Sequence, residues 1–196
     1  MWTAISNVGD AALTLPVALT CAIWLRLSDK RLAMRWMMLL AAGMALVGVT
    51  KILYAGCGVE ISAIGFRVIS GHTTLSTSVW TVAIALLWRS AGGNARAGAL
   101  VGLLIGLLTA FARVFDYAHT VPEVIAGWLL GALIAALFVH PLAHSNVKLF
   151  RPLAAAAGLL LVTTVAYGRH APIQAMIGHY SPGVCARIWA SVSAVF

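Results

Sequence analysis

Apolar residues run through this chain in blocks too long for a soluble helix or strand, with polar residues confined to the gaps. Six blocks stand out, over about 10–27, 32–54, 72–88, 97–115, 121–139 and 152–168. A helix that crosses a bilayer needs roughly 20 mostly apolar residues. Hydrocarbon leaves backbone polar groups without partners, so segments this apolar cross as helices. The alternation of a membrane barrel strand is absent. The pattern predicts an all-α integral membrane bundle of about six transmembrane helices, in a single domain over 1–196. "RSAGGNARAG" (89–98) reads as a Gly-rich connection between the third and fourth spans.

Composition agrees. The chain is 62% hydrophobic and 9% charged, with a mean hydropathy of +0.97. Soluble domains are about half apolar and about a quarter charged. No basic residue precedes the first span and several follow it, as in a retained helix rather than a cleavable leader.

The net charge of +8 is informative through its distribution. The loops joining spans one to two, three to four and five to six hold Arg26, Lys30, Arg31, Arg35, Arg89, Arg96, Lys148 and Arg151. The opposite side holds Lys51, Arg67, Arg113, Arg169 and Arg187. Short cytoplasmic loops collect Lys and Arg. This places the chain in the cytoplasmic (inner) membrane, with both termini on the periplasmic, outer side. Trp24, Trp36 and Trp88 fall near the inner ends, and Tyr54, Tyr117 and Tyr167 near the outer ends, as interfacial belts do. No basic run interleaved with aromatics points to nucleic acid. The partners implied are the bilayer and its lipids.

A short list of polar residues remains, all at outer helix ends: Lys51; Arg67, Ser70, Gly71 and His72; Arg113, Asp116, His119 and Glu123. Ionisable groups at membrane depth are costly and mark function. Arginine and lysine here suit a phosphate. Ser70 fits an N-cap whose helix start attracts an anion, with His72 in the first turn. Two imidazoles can divide nucleophilic attack and proton transfer without metal or cofactor. His140 and His144 are four apart on the inner side, but Pro141 argues against a shared helix face. Asp116, three after Arg113, reads as its local ion-pair partner.

Glu123 has two readings. Four residues after His119, it can orient that imidazole. "TVPE" (120–123) equally reads as a capping box. "GLLIG" (102–106) and "GWLLG" (127–131) place glycines four apart for close helix packing. Of three cysteines, Cys21 is an apolar filler, while Cys57 and Cys185 share the outer side and could be bonded there. The tail, 169–196, reads as an amphipathic segment over the outer face near the site.

These residues resemble the type 2 phosphatidic acid phosphatase family, related to vanadium haloperoxidases. Its signatures are K-x6-R-P, P-S-G-H and S-R-x5-H-x3-D. Ser70-Gly71-His72 matches the second, and Arg113-x5-His119-x3-Glu123 the third, followed by "EVIAGWLLG". The signatures span 51–131. The resemblance implies His119 as nucleophile forming a phosphohistidine, Glu123 orienting it and His72 as general acid. It implies Lys51, Ser70, Gly71 and Arg113 as ligands of the phosphoryl oxygens. The implied substrate is a lipid phosphomonoester or diphosphate, such as undecaprenyl diphosphate, phosphatidylglycerol phosphate or phosphatidic acid. Transfer of the phosphate to another lipid such as lipid A, or a non-catalytic anion-binding scaffold, are the alternatives. The chain departs from the signatures in four places. "ILYAGCGVE" after Lys51 lacks Arg-Pro, Ile69 stands for Pro, Ala112 for Ser and Glu123 for Asp. By its charge, Arg67 is the candidate for the missing guanidinium.

Overall fold

The computed structural model describes residues 2–193; the side chains of Cys185 and of residues 187–193 lie outside the description. It contains eight α-helices: α1 (Trp2–Ser6), α2 (Ala11–Ser28), α3 (Lys30–Cys57), α4 (Gly71–Ser90), α5 (Ala95–Phe115), α6 (Val121–His144), α7 (Pro152–Ala166) and α8 (Ile173–Ser193). No β-strand occurs among the described residues. The helix starts follow local chemistry. Asp10, Asp29 and Asn94 each accept a backbone N–H one or two residues into α2, α3 and α5. Gly58, at φ 67°, ends α3 in the left-handed conformation that glycine adopts without penalty.

Among the described residues, four helices are long and apolar enough to cross a membrane: α2, α3, α5 and α6. The two other expected spans differ for separate reasons. α7 is apolar but has 15 residues. α4 has the length, but its first eleven residues carry Thr73, Thr74, Ser76, Thr77, Ser78 and Thr81, all buried. It is the central helix, with 13 of its 20 residues buried, and it meets protein rather than lipid.

α5 and α6 show how the bundle is sorted. Leu100, Leu104, Leu108 and Phe111 on α5, and Ile125, Leu129, Leu133 and Leu137 on α6, form exposed apolar stripes. The buried faces carry the glycine pairs, and both pairs press against α4. A Cβ on Gly131 would lie 2.6 Å from the Thr77 Cβ, and one on Gly127 would lie 2.6 Å from the Ser70 carbonyl oxygen. Gly102 and Gly106 meet Thr81 and Thr77 in the same way. Small residues let the backbones approach, and hydroxyls bridge them, as between Ser76 and Thr109 at 2.8 Å.

Pro141 does not break α6. The helix continues to His144, whose ring centroid lies 4.7 Å from that of His140, so the two do share a face. A proline this close to the C-terminus removes one hydrogen bond from a turn that already has free carbonyls. His144 Nδ1 pairs with the His140 carbonyl, and no group of three metal-ligating side chains occurs among the described residues.

Candidate active site

The chain alternates direction through the bundle, so one end collects the starts of α2, α4, α6 and α8 and the ends of α3 and α5. A cavity of about 330 Å³ opens there. Lys51, Arg67, Gly71, His72, Arg113, His119 and Glu123 all line it. These residues, scattered over 51–123, are therefore brought to one place.

Glu123 is the anchor. Its side chain is wholly buried and both oxygens are engaged. Oε2 accepts from His119 Nδ1 at 2.7 Å and from the Thr120 N–H at 3.1 Å. Oε1 accepts from the Arg67 N–H at 3.1 Å, Arg67 Nε at 3.2 Å and the Val68 N–H at 3.4 Å. The orienting and capping readings of Glu123 thus hold together in one rotamer. A carboxylate at Nδ1 keeps the proton on that nitrogen and leaves Nε2 with its lone pair. Burial holds His119 below the ordinary imidazole value, and the hydrogen bond to Glu123 works in the other direction without reversing it.

Glu123 departs from the family's aspartate by one methylene, and the extra reach has a use. It carries the carboxyl to the 67–68 backbone, so the loop before α4 is tied to the first turn of α6. The Ser70 N–H adds a further tie to the Glu123 carbonyl at 3.1 Å. Arg67 spends its Nε on this carboxylate, with its guanidinium 5.8 Å from the Tyr54 ring centroid. It lines the cavity as well, but its contacts make it first a support of Glu123.

Ser70 departs from expectation. It holds the N-cap position by its backbone, but its side chain makes no capping bond. The hydroxyl is buried against Thr73 Oγ1 at 2.9 Å and does not line the cavity. The helix start still faces the cavity through Gly71 and His72, whose N–H groups have no acceptor within the helix.

Arg113 donates from one terminal nitrogen to Ser6 Oγ at 2.9 Å, while its buried Nε has no partner. Asp116 does not pair with it within 4 Å among the described residues. Its N–H instead closes the α5 C-terminus on the Ala112 carbonyl. Lys51 Nζ donates to Gln174 Oε1 at 2.8 Å, so the start of α8 reaches the site. Cys57 is disulfide-bonded, whereas the side chain of Cys185 lies outside the described residues.

Sequence reasoning passed over Asp10, Ser6 and Gln174. Asp10 is 5% exposed, lines the cavity and lies 3.5 Å from His72 Nε2. One signal was available: Asp10 is one of five acidic residues in the chain.

The family model of the PAP2 superfamily matches residues 54–147. A 22.5 kDa protein in the cps region of Klebsiella pneumoniae is 33% identical over 141 residues, which cover 70% of this chain and 68% of that protein. The chain belongs to the PAP2 superfamily. PAP2 proteins are phosphatases or phosphotransferases acting on phosphate esters, and the cavity residues suit that chemistry. The PAP2 match takes in the loop before α4 and the α5–α6 corner but begins just past Lys51 and leaves out Asp10 and Gln174. No solved structure gives a significant match to the chain.

Proposed function

We propose that this PAP2 protein is a membrane lipid-phosphate phosphatase that works through a phosphohistidine on His119. The observation that carries the reading is the 2.7 Å contact between His119 Nδ1 and the buried Glu123 carboxylate, in a cavity also lined by Lys51, Arg113 and His72. His119 Nε2 attacks phosphorus, and the bond from phosphorus to the lipid oxygen breaks. His72 gives its proton to the departing oxygen. Water then attacks the phosphohistidine, His72 takes a proton from it, the P–N bond breaks and inorganic phosphate leaves. Lys51, Arg113 and the N–H groups opening α4 hold the non-bridging oxygens as charge builds on them. Glu123 fixes the His119 tautomer and balances the cationic phosphoimidazole.

A lipid substrate is supported by the setting. The cavity lies at the ends of helices whose outer faces are apolar stripes, so a headgroup can enter while its chains stay in the bilayer. The Lys and Arg bias supports a periplasmic position for this end. The test is phosphate release by the purified chain from phosphatidic acid and from lipid diphosphates in detergent. Release persists in EDTA, stops with vanadate and disappears in His119→Ala. Brief exposure to phosphate-labelled lipid traps an acid-labile, base-stable phosphoprotein. Full activity of His119→Ala overturns the mechanism.

A further inference from the structure

The N-terminal segment places a second carboxylate in the cavity, besides the one that holds His119. Asp10 is 5% exposed and caps α2 by accepting from the Ala12 N–H at 2.8 Å. The same oxygen accepts from the Ala171 N–H at 3.1 Å. Its other oxygen accepts from His170 Nδ1 at 3.2 Å and stands 3.5 Å from His72 Nε2. Burial opposes its ionisation, but the Ala12, Ala171 and His170 hydrogen bonds outweigh this and hold the carboxyl below its ordinary value, so it stays charged.

The segment that carries Asp10 is fixed against α4 from several sides. A Cβ on Gly9 would lie 2.6 Å from the His72 carbonyl oxygen, so only glycine admits this approach. Trp80 Nε1, on α4, donates to the Val8 carbonyl at 2.9 Å. Arg113 holds Ser6, and Tyr167 donates its hydroxyl to the Ala4 carbonyl at 3.0 Å. Asp10 is thus placed by contacts that would be unneeded for capping alone. The other charged or titratable groups acting on His72 are Arg113 from α5, Lys51 from α3 and His119 from the α5–α6 corner. Asp10 supplies the negative charge among them.

From this arrangement we infer that Asp10 is the positioning residue of the proton donor, holding His72 by Nε2 so that Nδ1 carries the proton exchanged with the leaving group and then with water. The inference rests on the reading of His72 as general acid. In the cationic ring both nitrogens bear protons. Loss of the Nδ1 proton to the departing oxygen leaves the Nε2–H tautomer facing Asp10. That tautomer is the one able to accept a proton from the attacking water at Nδ1. A separation of 3.5 Å is that of an ion pair, and catalytic contacts of this kind tighten as substrate binds. The two carboxylates divide the work: Glu123 fixes the nucleophile and Asp10 fixes the acid.

The experiment is a double-mutant cycle on the full-length chain, using the lipid phosphate that the wild type hydrolyses. Asparagine caps helices as well as aspartate does, so Asp10→Asn removes the charge and spares α2. Asp10→Asn is expected to lower kcat by about 10- to 100-fold with KM changed by less than about twofold. In a His72→Ala background the same change is expected to do nothing further, because the group it positions is gone. Asp10→Ser goes through the same cycle where the asparagine variant is not recovered as a folded monodisperse species. Wild-type kcat in Asp10→Asn, or a loss that multiplies undiminished onto that of His72→Ala, overturns the inference while the phosphatase reading stands. No wild-type turnover on any lipid phosphate removes both.

Discussion

Arg67 Nε lies 3.2 Å from Oε1 of Glu123, the carboxylate whose other oxygen holds His119. The arginine that charge alone would assign to the phosphate is thus spent on the support of His119. Its effect on turnover should follow that geometry. Arg67→Ala is expected to lower kcat about tenfold with a smaller change in KM, since it loosens the orientation of His119 rather than a substrate contact. Steady-state kinetics on a lipid phosphate separates the two. A raised KM at unchanged kcat would return Arg67 to the phosphate.

Glu123→Gln should be the more damaging change. An amide cannot accept from all of the N–H groups of Thr120, Arg67 and Val68 while also receiving His119, and it no longer favours the Nδ1–H tautomer. A fall in kcat of about a thousandfold is expected. Stability should drop by about 2 kcal/mol, as buried donors lose a charged acceptor. Thermal melting in detergent beside single-turnover labelling checks both; a labelled phosphoprotein formed at the wild-type rate would show that the carboxylate is not needed.

The close approach of α6 to α4 carries its own expectation. A methyl group at Gly127 meets the Ser70 carbonyl just ahead of Gly71 and His72, so α4 must move with the site on its first turn. Gly127→Ala is expected to cost about 1–3 kcal/mol and to lower turnover. Gly48, where an added Cβ meets nothing within 4 Å, is the control, and Gly48→Ala should melt no lower than wild type. Equal melting temperatures for the two variants would contradict the packing described for α6 on α4.

The pH dependence follows from the burial of His119. The proposed attack needs the neutral imidazole, and burial lowers the pKa, so the neutral form persists further into acid than for an exposed histidine. The acid limb of kcat/KM should lie below the ordinary imidazole value of 6.5. A limb at or above that value would assign it to another group.

The membrane spans and the His119–Glu123 pair were legible in the chain because both are local. A lipid-crossing helix is written as a continuous apolar run, and residues four apart across a helix start meet without help from the rest of the fold. The glycine pairs were legible as packing faces for the same reason, but their partner was not. That both press on α4 depends on the arrangement of three helices, and it explains why α4 can bury six hydroxyl-bearing residues while it looks from its pattern like a span facing lipid. Spacing likewise overrated the pairing of Asp116 with Arg113 and underrated the helix through Pro141.

What the sequence determined by itself is the class of protein, the order of its helices and the residue types that gather at one end. Tertiary structure alone decided which atom each of them faces. Ser70 turns to Thr73, Arg67 turns to Glu123, and Asp10 reaches His72 across more than sixty residues of chain. These relations have no period to reveal them. They arise because helices packed at backbone contact leave a buried polar group few partners within reach, and most buried groups take one.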